Sequence, residues 1–202
     1  EVKACTVALG GVEAKKRDFN EISNNPYFCP DAGAPALMEK RVSEVRQLGD
    51  TVGVVVEIVA QCPPGLGEPV FNKLDADLAH ALMSIGAVKG VEIGAGFGVA
   101  GMLGSENNDI LSEAGYQSNN CGGILAGISN GENIIARVAV KPIPSIGKPQ
   151  KTVNISNEEV EIKIGGRHDI SAIPRIIPVC EAMVKLTLVD HRLRHLGPYE
   201  EE

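Results

Sequence analysis

The sequence predicts an α+β fold in which sheets carry helices packed against one face. Three observations predict it. Apolar residues recur in the order strand, helix, strand, helix, strand, hairpin, hairpin, helix, which is not the regular alternation of a doubly wound parallel sheet. Asn130-Gly131 stands between two apolar runs and reads as a hairpin turn, because Asn-Gly tolerates the positive φ angles of a type I′ turn. The 202 residues are 44% hydrophobic and 22% charged, enough to bury one core, so residues 1–202 are read as a single domain.

Val2, Cys5, Val7 and Leu9 give a first strand that ends at Gly10-Gly11. Residues 17–34, with their Asn, Asp, Pro and Gly, read as a loop. Pro35 suits the first turn of a helix that runs on through Leu37, Met38, Val42, Val45 and Leu48 and stops at Gly49. Thr51 to Ala60 is rich in β-branched residues and reads as a buried strand, broken by Cys62-Pro63-Pro64-Gly65. Leu74, Leu78, Ala79, Leu82 and Met83 mark an amphipathic helix over residues 71–85, and Val88 to Ile93 a further strand.

Residues 94–122 read as a long loop with one short helical turn near Ile110; loops this long in compact domains are usually functional or mobile. The segments 124–128 and 133–140 flank Asn130-Gly131, and 152–155 and 159–164 flank a second polar turn. The last helix is expected from Pro174 to Leu196, ended by Gly197-Pro198.

Composition excludes several functions. Only 3% of residues are aromatic, none is Trp, and the net charge is -7, so base-stacking surfaces and attraction to phosphate backbones or anionic membranes are disfavoured. No apolar run is long enough to span a bilayer, and residues 1–9 read as a strand and not as a leader. The chain opens abruptly in that strand, as a fragment would. Cys5, Cys29, Cys62, Cys121 and Cys180 are odd in number with no CxxC pair, which suits free buried thiols in a reducing cytoplasm. No His, Cys and carboxylate set has metal-ligand spacing.

Several segments could carry chemistry. Gly96 to Gly101 spells GxGxxG after a strand, but Gly101 and Gly104 make a poor start for the helix that a dinucleotide site requires. Ser118 to Gly123 offers either a solvent-facing turn or a backbone surface open to a ligand. Lys141-Pro142-Ile143-Pro144-Ser145 is either a sheet exit or a rigid segment that presents Lys141 and Ser145 to a phosphate. Gly166-Arg167-His168-Asp169 is the densest polar cluster: Arg can fork onto a phosphate or carboxylate, and His and Asp can exchange protons; a helix-capping loop is the alternative. His80 reads as a surface or interface residue, and Asp190 to His195 as a solvated helix end complementing the helix dipole.

Eight ordered blocks then resemble one family. They are residues 65–71 (GLGEPVF), 73–76 (KLDA), 88–94 (VKGVEIG), 118–120 (SNN), 122–125 (GGIL), 141–146 (KPIPSI), 166–169 (GRHD) and 181–183 (EAM). In order and spacing they are similar to chorismate synthases, nearly end to end. The resemblance implies a β-α-β sandwich, helices lying between antiparallel sheets, and a homotetramer that uses reduced FMN, with NADPH belonging to the same flavin chemistry. The implied substrate is 5-enolpyruvylshikimate 3-phosphate, which loses phosphate in a 1,4-elimination that gives chorismate.

By motif position the implied flavin contacts are Gly86, Ala87, Ala126, Lys141, Pro142, Ile143, Pro144, Ser145 and Arg167. Ala126 stands where many relatives carry Gly. Arg167 is also the candidate for a substrate phosphate or carboxylate; Asp169 is expected to handle a proton near the flavin, and His168 to orient this loop or act with it. The family's N-terminal half, with its catalytic histidines and substrate arginines, has no counterpart here, so the expectation is a truncated, C-terminal part that does not turn over alone. Two alternatives stand beside it: an inactive fold or assembly module with partial FMN binding, and an unrelated nucleotide-binding oxidoreductase resting on Gly96–Gly101.

Overall fold

A computed structural model of the chain describes residues 1–197. In chain order the elements are β1 (Val2–Leu9), β2 (Val12–Glu13), α1 (Pro35–Gln47), β3 (Val54–Ala60), α2 (Leu74–Met83), β4 (Val88–Ile93) and α3 (Gly104–Asn107). There follow β5 (Leu111–Ser112), β6 (Gly115–Tyr116), β7 (Ile124–Leu125), β8 (Ile128–Ser129), β9 (Ile134–Val140), β10 (Gln150–Val153), β11 (Glu159–Ile162) and α4 (Ile176–Leu196).

One five-stranded sheet, in the order β2-β1-β3-β9-β4, is antiparallel throughout. Its register lines up Ala4, Ile58, Ala136 and Ile93 across four strands, and Thr6, Val56, Val138 and Val91 beside them. Side chains on a strand alternate faces, so these rows share the face on which α2 and α4 pack. Leu74, Leu78 and Leu82 of α2 are fully buried, and Ile177, Cys180 and Val184 of α4 form the matching stripe. Truncating any of those leucines to Ala is expected to remove roughly 2–5 kcal/mol. The reverse face carries a polar row: Glu57 takes Arg17 at 2.8 Å, and Arg137 takes Glu92 at 3.2 Å.

The expected α+β class, with antiparallel sheets and helices on one face, is what the chain adopts. On α4 the side away from the sheet is also apolar: Val179, Leu186, Val189 and Leu193 are exposed. The helical layer thus has a sheet on one side and an open apolar side on the other.

Three expectations are corrected. Asn130-Gly131 does not join a hairpin. Asn130 turns its own side chain onto the Glu132 amide at 3.0 Å, and β9 leaves to lie between β3 and β4 in the main sheet. In this region the tight two-residue turn is Ala126-Gly127, between β7 and β8, where φ is 51° and 85°. The Asp190 to His195 stretch is not a wholly solvated helix end: His191 is buried and its Nε2 lies 2.9 Å from Asp77 Oδ2, tying α4 to α2. Finally, α4 starts at Ile176, so Pro174 precedes the helix and does not occupy its first turn.

Candidate functional site

β9 ends at Val140, and the two prolines that follow remove the donors that would continue the ladder. The 141–145 segment is pinned at three points. Lys141 N donates to Ala87 O at 2.9 Å, Thr51 Oγ1 donates to Ile143 O at 2.7 Å, and Ser145 Oγ lies 2.9 Å from His168 Nδ1. His168 Nε2 faces Ile164 O at 3.1 Å. A carbonyl can only accept, so Nε2 carries a proton and donates to it. His168 therefore ties the proline segment to the chain that enters α4.

Asp169 follows, with Oδ2 at 3.0 Å from Nη1 of Arg175, whose side chain is 80% exposed. Asp169 and Arg175 line two adjoining cavities. One, of about 310 Å³, has walls of Ile85, Gly86, Ile143, Ala172 and Ile176. The other, of about 720 Å³, opens toward α1 and includes Tyr27, Glu39, Arg46 and Arg167. Ile143, Gly86 and Asp169 thus meet at one pocket although they come from three separate stretches of sequence. Arg167 lies on the α1 side of this divide and makes no ion pair among the described residues.

The smaller pocket has the chemistry a flat heteroaromatic ring requires: apolar walls with a few polar groups at the rim. A Cβ added at Gly86 would meet nothing within 4 Å, so this backbone faces open space. Ala87, at φ 73°, sits in the left-handed region beside it. Of the expected flavin contacts, Gly86 and Ile143 line this pocket, and Asp169 lies on it with them. Ala126 does not join them. Its neighbour Gly127 accepts from Leu74 N at 2.8 Å, at the start of α2, whereas Gly86 and Ala87 follow the end of that ten-residue helix, about 15 Å away.

The Ser118 to Gly123 stretch turns its polar groups inward. Asp109 accepts from Ser118 Oγ at 2.6 Å, Asn120 N at 2.7 Å and Cys121 N at 2.9 Å. Burial would raise the carboxyl of Asp109, but hydrogen bonds from Cys121, Ser118 and Asn120 outweigh it and hold the group down at about 2. Asn119 Oδ1 accepts from Gly123 N, and its amide reaches Asn133 O. The stretch forms a turn, but one whose side chains bond the chain itself and do not face solvent. Burial and the adjacent Asp109 raise the Cys121 thiol. Gly96–Gly101 forms a 3₁₀ turn, with Phe97 exposed, on an antiparallel sheet; the helix a dinucleotide site needs is missing, and the oxidoreductase reading falls with it.

Sequence reasoning passed over Tyr27, Arg46, Arg175 and Asp109. Arg46 and Arg175 are isolated cations at helix ends, and nothing in their local pattern signals the cleft they share. Tyr27 donates to Glu39, and its phenol is pushed up to about 12, first by burial and then by that carboxylate.

The family model described as chorismate synthase matches residues 1–193. The chorismate synthase of Syntrophobacter fumaroxidans is 65% identical over 201 residues, 99% of this chain and 57% of that protein. That of Desulfosudis oleivorans is 59% identical over 194 residues, 96% of this chain and 55% of that protein. Among solved structures, one titled as the crystal structure of chorismate synthase superposes with a TM-score of 0.79 at 30% identity, covering 98% of this chain and 58% of that one. The chain spans little more than half the length of these relatives and corresponds to their C-terminal part. It belongs to the chorismate synthase family.

Proposed function

We propose that residues 1–202 supply the flavin-contacting part of a chorismate synthase, a carbon–oxygen lyase of the shikimate pathway that serves aromatic amino acid biosynthesis. The substrate is 5-enolpyruvylshikimate 3-phosphate. Its C–O bond breaks with loss of phosphate, a C–H proton leaves to a base, and the electrons of that bond form the new double bond of chorismate, with no net oxidation. Bound reduced FMN supplies electron density that eases C–O cleavage.

The observation that carries this reading is the convergence of Gly86, Ile143 and Asp169 on one pocket, next to the Ser145–His168 link. The proline segment and the Gly86-Ala87 backbone hold the ring in place. His168 fixes the loop. Asp169, held by Arg175, is the proton acceptor or relay at the pocket rim, and Arg167 is the anion-binding cation beside it. Ala126, remote from this pocket within the chain, has no role in it. The working enzyme is a cytoplasmic homotetramer, and the exposed apolar stripe of α4 suits further packing.

FMN titration of the purified chain, followed by flavin fluorescence, is expected to give saturable binding. A coupled chorismate assay on the same sample is expected to show no turnover, because the chain spans little over half of its relatives. Normal turnover overturns the second expectation. Absence of FMN binding from a folded chain favours the assembly-module reading.

A further inference from the structure

One hairpin takes no part in the core. Among the described residues β10 and β11 pair only with each other, and every residue of β11 is exposed, as are all but the first of β10. A lone two-stranded hairpin is only marginally stable in water. Its register, from Gln150↔Ile162 to Val153↔Glu159, sorts the side chains, because directly opposite residues share a face. Val160 and Ile162, with Ile164 just beyond them, lie on one side and are all exposed. Lys151, Glu159 and Glu161, with Lys163 beyond, lie on the other. The backbone is equally unfinished. Asn154 N donates to Glu158 O across the turn at 3.0 Å. Residues of an antiparallel strand alternate between facing their partner and facing away. Val160 and Ile162 therefore face β10, while Glu159, Glu161 and Lys163 turn their N–H and C=O groups to an open edge, a template for a further strand.

We propose that this edge pairs with the same edge of a second copy of the chain, β11 against β11, antiparallel across a twofold axis at Ile162. Charge and hydrogen bonding select that register together. It sets Glu161 against the partner's Lys163, twice by symmetry, and uses the open-edge N–H and C=O groups of those residues as its bonded pairs. Ile162 meets the partner's Ile162 on the axis, and Val160 meets the partner's Ile164. Neighbouring registers fail. An axis at Glu161 opposes that carboxylate to itself, and one at Val160 opposes Glu159 to Glu161. An axis between Glu161 and Ile162 lays the charged face of one hairpin along the aliphatic face of the other. The product is a four-stranded sheet, β10-β11-β11-β10, with a continuous aliphatic row and no bare β11 edge. The inference gives the homo-oligomer proposed above one of its interfaces and rests on that reading for the second copy; the flavin does not enter it.

Sedimentation velocity of the full 202-residue chain is expected to show concentration-dependent self-association. Lys163→Glu opposes carboxylates at both symmetric positions and is expected to weaken association about tenfold; adding Glu161→Lys restores the opposite-charge pairs and with them the association. Cross-linking reads the register directly. Two residues at a non-bonded pair on the axis have Cα atoms about 4.5 Å apart, within disulfide reach, whereas Val160 and its own mate, four residues out of step, stand about 14 Å apart. With oxidised glutathione taking up the two electrons of the thiols, Ile162→Cys is expected to give a covalent dimer, and Val160→Cys and the unsubstituted chain are not. Circular dichroism verifies that each variant is folded. A chain that is monomeric at every concentration, equal cross-linking at positions 160 and 162, or an association indifferent to Lys163→Glu overturns the proposal; the last assigns the contact to another face, such as the apolar side of α4, and leaves the homo-oligomer itself in place. FMN titration of the same samples reads the flavin site separately. Cross-linking at Ile162 without FMN binding removes only that site, and FMN binding without cross-linking removes only this interface.

Discussion

Two regions of this molecule carry many polar side chains, yet they use them in opposite ways. Between residues 94 and 123 the polar groups are spent on the chain itself: Asp109 accepts from Ser118, Asn120 and Cys121, and Asn119 spans Gly123 and Asn133. Between residues 141 and 175 a few bonds fix the backbone, while among the described residues Arg167 has no ion pair and Asp169 meets only an arginine that is mostly in water. A polar segment that satisfies itself is a structural knot. One that is held rigid with its charges left over is a surface prepared for a ligand.

The contrast breaks most visibly at Gly94. A Cβ there would sit 2.1 Å from Asn120 O, and φ is +59°, so Gly94→Ala meets both a backbone clash and left-handed strain. A loss of roughly 2–4 kcal/mol is expected, read as a lowered urea midpoint at constant slope. An unchanged midpoint would mean that the knot is loose and the comparison wrong.

Asp109→Asn comes next. It removes a charged acceptor shared by three donors, and about 1.5–3 kcal/mol should be lost. The same carboxylate predicts a pH dependence. Its folded value, about 2, lies below the ordinary carboxylate value of roughly 4. The stabilisation it gives is therefore complete above the unfolded value and disappears as pH falls from about 4 through about 2. Acid unfolding of the wild type should steepen across that window, and that of Asp109→Asn should not. Superimposable acid profiles would remove Asp109 as the centre of the knot.

How much of this was legible beforehand depends on the range of the forces involved. Helices α1 and α2 and strand β4 follow from apolar period, a property of neighbouring residues. Val88 to Ile93 is found at its expected bounds, and the pocket-forming motifs at 141–145 and 166–169 stood out as anomalies in composition. The placement of β9 was not legible. Asn130 offers a turn signal, but the partner of β9 is decided by where Val54–Ala60 and Val88–Ile93 leave an edge, a matter of tertiary packing. Ala126-Gly127 escaped for the converse reason: alanine rarely takes positive φ, so its turn carries no local signature. His191 looked like one of several end-of-helix cations, and only the approach of Asp77, 114 positions away, makes it a buried link. Arg46 and Arg167 line one cleft only because α1 and the entry to α4 both face it.

The smallest expected effect on stability sharpens the comparison most. Asp169→Asn removes a carboxylate with the same formal charge as Asp109, yet its partner Arg175 is largely solvated and no backbone amide among the described residues donates to it. An exposed ion pair of this kind contributes little, so the urea midpoint should shift by less than about 0.5 kcal/mol. FMN affinity, by contrast, should fall several-fold, since the rim of the pocket loses its one carboxylate among the described residues and Arg175 is released from its anchor. The two aspartates would then separate cleanly: one whose loss is felt by the fold and not by the ligand, the other felt by the ligand and not by the fold. A stability loss at Asp169 comparable to that at Asp109, with FMN binding unaltered, would reassign the 166–175 segment to the architecture and leave the pocket without its proposed proton acceptor.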